Sequence, residues 1–153
     1  MTELEGSSSH RGDADAAFVK WLACLHAMYW GARADDACSP TGGGLQAQGC
    51  YWHLDTRPDE HNRMKSSGWL GRLKLAARAI DLRLKEDTMQ SVCHGDAKGA
   101  NIVYGTSDAG EAVPLVYDFQ YSGKAAVTKD LAYYFNVEVD EADEERLLEH
   151  YHR

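Results

Sequence analysis

Long apolar runs, closely paired cysteines and an excess of basic residues are all missing from this sequence of 153 residues. No apolar run approaches the roughly 20 residues that a membrane-spanning helix needs. Lys and Arg number 16 against 24 Asp and Glu, and the net charge of -8 argues against general electrostatic binding to nucleic acid or to an anionic membrane. The charged, apolar and small-residue pattern of a signal peptide is also missing. We therefore expect a globular protein that is cytoplasmic by default.

The cysteines and histidines lack the spacings of a metal site. The four cysteines are irregularly placed with no CxxC pair, and the seven histidines form no HExxH arrangement. We expect the cysteines to be reduced packing residues. His26 lies beside an apolar stripe, which favours a hydrogen-bonded packing histidine over a metal ligand or a base.

Two segments carry apolar residues at the three-to-four-residue spacing of an amphipathic helix. These are residues 13–30 and residues 67–85, the second with a basic opposite face that we interpret as solvated. Residues 1–12 are polar and aperiodic, which predicts a disordered lead. We therefore expect one folded unit over residues 13–153.

The second half of the chain alternates short strand-like segments with helices. Residues 91–93, 102–104 and 115–117 are strand-like and are separated by polar turns, whereas residues 130–135 and 141–151 favour helices. The pattern predicts an α+β fold that is mainly helical and contains a short β-hairpin.

The strongest chemical signal is the spacing HxDxKxxN, formed by His94, Asp96, Lys98 and Asn101, with Asp118 seventeen positions later. Phosphoryl transfer needs a carboxylate near the acceptor hydroxyl and oxygen ligands for magnesium. Asp96 is the candidate base or orienting group, and Asn101 and Asp118 are the candidate metal and nucleotide ligands. Lys98 is a candidate charge stabiliser, while His94 more plausibly orients the loop than transfers protons.

These residues resemble the aminoglycoside phosphotransferase and choline-kinase superfamily. Residues 94–101 resemble its HGDxxxxN catalytic loop, and residues 118–120 resemble the metal-binding DFG element of protein kinases. Residues 22–30 are similar to its LAxLHAxxW helix and residues 130–134 to its DLAYF segment. Asp-Phe-Gln at 118–120, together with residues 51–58, most resembles the ecdysteroid-kinase-like, or CHK-kinase-like, subgroup.

The resemblance implies the C-terminal lobe of a protein-kinase-like fold that uses ATP and Mg²⁺ to phosphorylate a hydroxyl of a small molecule. The glycine-rich strand pair and the phosphate-binding lysine of an N-terminal lobe are not recognisable, so we expect a C-lobe fragment with weak or no activity by itself.

Two alternatives stay open. One is a catalytically silent kinase-like module that binds a metabolite or a partner. The other is a metal-dependent hydrolase using Asp96, Asp118 and His94, which would need a further ligand such as His53, Asp55 or Asp130.

Overall fold

The hydrophobic core forms where the first helix meets the last two. The computed structural model describes residues 7–153, with side chains from residue 13 onward. Helix α1 spans Ser7–Met28 and buries Phe18 and Leu22 completely. Phe18 packs on Tyr134 of helix α5 (Thr128–Glu138) with ring centroids 4.6 Å apart. Leu147 of helix α6 (Glu141–His152) completes this contact, so α1, α5 and α6 form one helical layer.

The helix predicted over residues 13–30 is confirmed, although it begins at Ser7. The lead predicted to be disordered, residues 1–12, lies partly outside the described residues and partly on the first turns of this helix. Helix α4, Gly68–Lys85, confirms the segment predicted over residues 67–85.

Two antiparallel strand pairs lie beside the helices. Strand β2 (Ile102–Thr106) and strand β3 (Ala112–Val116) form the predicted hairpin, in which Ile102 pairs with Val116. Strand β1 (Gln90–Cys93) pairs with strand β4 (Gly123–Ala126), which the sequence did not reveal. The fold is therefore α+β with small antiparallel sheets, as predicted.

Two short helices were also missed. Helix α2 spans Ala32–Ala37, and helix α3 spans Pro58–Arg63 with proline in its first turn. Proline suits that position because the first amides of a helix have no partner within the helix. Among the described residues, no helix has both the length and the apolar character needed to cross a bilayer.

Candidate active site

Residues 94–101 form a buried loop between β1 and β2. The loop leaves β1 at Cys93 and ends in a 3₁₀ turn, Gly99–Asn101, that leads directly into β2. His94 and Asp96 are almost fully buried, whereas Lys98 is partly exposed. Ala97 packs into the helical core, so the loop backbone rests on the rigid part of the fold.

His94 connects the loop to the end of the hairpin. Its Nε2–H donates to the carbonyl oxygen of Tyr117 at 3.0 Å, and its Nδ1 accepts the N–H of Asp96 at 3.3 Å. A carbonyl can only accept and a backbone N–H can only donate, so these partners fix the Nε2–H tautomer. The ring also packs against Phe119, with centroids 4.9 Å apart. His94 thereby contacts the residues before and after Asp118, and its role as an orienting residue stays a prediction.

The carboxylate of Asp96 has one hydrogen-bonded oxygen and one oxygen without a partner among the described residues. Its Oδ2 accepts from Lys98 Nζ at 2.8 Å and from Asn101 Nδ2 at 3.0 Å. Its Oδ1 is buried without a hydrogen-bond partner in the part of the chain that the structure describes. Buried polar atoms are nearly always hydrogen-bonded, so an open carboxylate oxygen in a catalytic loop indicates a place for a ligand group.

The pairing of the hairpin brings Asn101 opposite Tyr117, the residue before Asp118. The N–H of Tyr117 donates to the carbonyl oxygen of Asn101 at 3.1 Å, immediately beyond the Ile102–Val116 pair. Asp118 then turns sharply, with a positive φ of 63° that a non-glycine residue rarely adopts. Such strained positions persist only where the surrounding structure holds them in place, and they cluster at functional sites.

The two paired segments each carry an oxygen ligand suited to a cation. The amide nitrogen of Asn101 donates to two oxygens of Asp96, which leaves the amide oxygen of Asn101 free to bind a metal. The exposed carboxylate of Asp118 accepts from Gln120 at 3.2 Å through one oxygen. A carboxylate and an amide oxygen fit magnesium, which prefers hard oxygen ligands. The residues present therefore fit the metal that the sequence pattern implied.

Lys98 forms an ion pair with Asp96, with its Nζ 2.8 Å from Oδ2. Its hydrogen bond to Asp96 is the main cause that raises the pKa of the Lys98 ammonium group, and the charge of Asp118 adds to it. Lys98 thus keeps a positive charge beside Asp96 over the neutral pH range. The role of Lys98 as a charge stabiliser stays a prediction.

Asp130 holds the backbone of the loop 94–101 through two hydrogen bonds. Its Oδ2 accepts the N–H of His94 at 2.6 Å, and its Oδ1 accepts the N–H of Gly95 at 2.9 Å. Its carboxylate is only 1% exposed. Asp130 is therefore committed to holding the loop backbone and lies beneath it. The sequence analysis noted Asp130 only as part of a motif and as an optional hydrolase ligand.

The network continues through His26 to the end of the chain. His26 Nε2 lies 3.3 Å from Asp130 Oδ2, and its Nδ1 lies 2.8 Å from the Tyr151 hydroxyl. Cys93 completes a buried group whose ligand atoms are close enough to hold a metal ion. Because hydrogen bonds occupy both nitrogens of His26 and both oxygens of Asp130, the group is explained as a structural network. The prediction of a hydrogen-bonded packing histidine is confirmed.

Tyr51 forms a side wall of the loop and was missed by the sequence analysis. Its N–H donates to the carbonyl oxygen of Gly95 at 3.0 Å, and its ring contacts Tyr133 at 5.2 Å. Burial, followed by the hydroxyl of Tyr133 and the charge of Asp96, raises the pKa of Tyr51 to about 12. The only signal in the sequence was an aromatic residue beside charged ones.

A family comparison identifies the family to which the chain belongs. A model described as the phosphotransferase enzyme family matches residues 2–153. The chain belongs to the phosphotransferase enzyme family. No curated protein and no solved structure matches the chain. Membership of this family indicates phosphotransferase chemistry.

Proposed function

We propose that this phosphotransferase transfers a phosphoryl group from ATP to a hydroxyl of a small molecule. The observation that carries the proposal is the open Oδ1 of Asp96, buried beside Lys98 and Asn101. In this reaction a carboxylate near the acceptor hydroxyl takes its proton as the new bond to phosphorus forms. Residues 13–153 would form the C-terminal lobe of the catalytic unit.

Asp96 would accept the proton of the acceptor hydroxyl at Oδ1, while its Oδ2 stays bound to Lys98 and Asn101. These two bonds hold the carboxylate in one orientation before the substrate arrives, which lowers the entropic cost of reaching the reactive geometry. Lys98 would offset negative charge that develops on the transferred group.

Asn101 and Asp118 would hold Mg²⁺ through the amide oxygen and a carboxylate oxygen. When bound there, the metal would supply positive charge that offsets the negative charge of the nucleotide phosphates. His94 supports this pair because its bonds to Tyr117 and Asp96 link the two segments that carry the ligands. Asp130 supports it through the loop backbone.

The exposed face of the hairpin offers a place for the adenine ring. Val103 pairs with Leu115 across the two strands, and these side chains are 53% and 57% exposed. Both lie close in sequence to the proposed metal ligands, on the face opposite to buried Ile102. A flat apolar platform beside a metal site suits a purine whose phosphates reach the metal.

Relationship to the ecdysteroid-kinase-like subgroup is also part of this proposal. It depends on the sequence at 118–120 and at 51–58. The same region contains Tyr51 and Arg57, which stand beside the catalytic loop.

The test is production of ADP from ATP and Mg²⁺ in the presence of a panel of hydroxylated small molecules. Acceptor-dependent ADP release, with the phosphate recovered on the acceptor, supports the proposal. Nucleotide binding without turnover on any acceptor would favour the silent module, and metal-dependent hydrolysis of a phosphate ester without ATP would favour a hydrolase.

A further inference from the structure

A largely apolar cavity of about 340 Å³ lies between α3, α4 and the segment 52–57. Its apolar wall consists of side chains from α4 and from the segment after Tyr51, namely Leu73, Ala77, Ile80, Leu84, Trp52 and Leu54. The apolar stripe of α4 that the sequence displayed therefore lines this cavity, and the buried residues of that helix are Gly71 and Asp81. Cavities of this size and lining suit small organic ligands.

Lys129 contributes a cation to the cavity, whose lining also includes the carboxylate of Asp81, paired with Lys85 at 2.9 Å. Lys129 is 4% exposed, and its ammonium group lies 4.6 Å from the centre of the Trp52 ring. No hydrogen bond or ion pair to its side chain is found among residues 13–153. A buried charge is costly unless it is paired, and contact with one aromatic face offsets only part of that cost. An anionic ligand group at Lys129 would supply the missing partner.

His53 adds a second open polar group to the same cavity. Its side chain is 7% exposed, and its Nδ1 makes no hydrogen bond within the described chain. Burial, followed by the charge of Lys129, lowers the pKa of His53. The imidazole is therefore neutral at pH 7 and can exchange a hydrogen bond with a ligand.

Arg57 and Tyr51 connect this cavity to the catalytic loop. Arg57 lines the cavity, and its guanidinium lies 4.6 Å from the centre of the Tyr51 ring. Tyr51 in turn is bound through its backbone to Gly95, the residue before Asp96. Lys129 precedes Asp130, whose carboxylate holds the same loop. Two walls of the cavity are thus fixed to the segment that carries Asp96.

We propose that this cavity is the acceptor site and that it takes a hydroxylated molecule with a largely apolar body and a carboxylate that pairs with Lys129. This inference rests on the proposed function, since it names the acceptor of the same site. The apolar wall would bind the body of the acceptor, and the hydroxyl at its other end would extend past Tyr51 toward Asp96. Lys129 disfavours a cationic acceptor, whereas the charge of Arg57 is already paired with Glu60 at 3.1 Å.

The test is calorimetric titration, without nucleotide, of three probes that share a ten-carbon chain and a terminal hydroxyl. Their other ends carry a carboxylate, a hydroxyl or an amine: ω-hydroxydecanoate, decanediol and aminodecanol. We expect the carboxylate probe to bind at least about tenfold more tightly than the diol, as a charged hydrogen bond implies, and the amine to bind most weakly. Equal affinities, or no binding of the carboxylate probe, would overturn the inference.

Variants identify the cavity as the place of binding. Lys129→Met should remove the preference for the carboxylate, Lys129→Arg should retain it, and Ala77→Trp should weaken all three probes by filling the space. Lys20→Met is the matched control, because Lys20 is exposed on α1 and should leave every affinity unchanged. Thermal melting checks that each variant is folded. A preference that survives Lys129→Met would contradict the assignment.

These measurements distinguish a failure of the acceptor inference from a failure of the proposed function. Asp118→Ala should lose magnesium-dependent ATP binding and keep the probe preference. Loss of the preference with intact ATP binding counts against the acceptor class alone. An intact preference without any phosphoryl transfer counts against the proposed function alone.

Discussion

The carboxylate of Asp130 accepts the backbone N–H of His94 at 2.6 Å across 36 positions of sequence. The same carboxylate accepts the N–H of Gly95 and lies against His26. One buried side chain thus joins α1, α5 and the catalytic loop.

Removal of this anchor should destabilise the protein strongly. Asp130→Ala leaves the N–H groups of His94 and Gly95 and the His26 ring without their acceptor, and we expect the free energy of unfolding to fall by about 3 kcal/mol or more. Asp130→Asn keeps one oxygen and should cost less. Urea unfolding monitored by circular dichroism measures both. If Asp130→Ala were as stable as the wild type, the anchoring role would be wrong.

The glycine after His94 should tolerate no side chain. Gly95 has a φ of +87°, and a Cβ there would lie 2.2 Å from the carbonyl oxygen of Tyr121. An alanine at position 95 would have to adopt a strained φ, and the backbone around Tyr121 would have to move to make room for its Cβ. Gly95→Ala should therefore lower the free energy of unfolding by at least about 3 kcal/mol.

Gly110 in the hairpin turn provides the matched control for this substitution. Its φ is +81°, but a Cβ there would meet nothing within 4 Å. Gly110→Ala should therefore cost only about 1 kcal/mol. Similar losses of unfolding free energy in the two variants would contradict the close packing of the loop against Tyr121.

Because His53 is buried, we expect the free energy of unfolding to fall in mild acid. Burial lowers its pKa in the folded protein below the ordinary value of 6.5. The unfolded chain therefore binds a proton at His53 more readily than the folded protein does. The stability that neutral His53 contributes is fully present above about pH 6.5 and is lost as the pH falls through the folded pKa. As the pH is lowered from about 7.5 to about 5, a range that spans the ordinary histidine pKa, the unfolding free energy should fall more for the wild type than for His53→Gln. Parallel curves would show that His53 does not titrate differently in the two states.

Asp96 should control turnover more than nucleotide binding. Asp96→Asn keeps the size and one oxygen of the side chain but cannot take a proton, so we expect kcat to fall by about 10²–10⁴-fold. The affinity for ATP with Mg²⁺ should change little, because Asn101 and Asp118 remain. An equally large loss of nucleotide affinity would instead make Asp96 a metal or folding residue.

The sequence revealed those features that depend on local spacing. The apolar stripes of α1 and α4 repeat at helical spacing, and the residues from His94 to Asn101 form one continuous segment. The hairpin pairing that places Asn101 opposite Tyr117 also joins segments that are close along the chain. Such local patterns carry their own structural signal.

Features created by distant contacts could not be predicted in the same way. Strand β4 has the sequence Gly-Lys-Ala-Ala, which lacks the branched and aromatic residues typical of strands, and it is extended because it pairs with β1. The bond between Asp130 and His94 and the contact of Lys129 with Trp52 also join distant segments. Helix α3 is a different case, since Pro58 followed by two acidic residues is a recognisable helix start.

The measurement that tests the central claim most directly is calorimetric titration of the chain with ATP, with and without Mg²⁺, beside Asp118→Ala. The control is Asp108→Ala, which removes an exposed aspartate from the hairpin turn. We predict magnesium-dependent binding that is present in the wild type and in Asp108→Ala and is lost in Asp118→Ala. Equal ATP binding by folded wild type and Asp118→Ala would contradict the assignment of Asp118 as a metal ligand and, with it, the proposed nucleotide site.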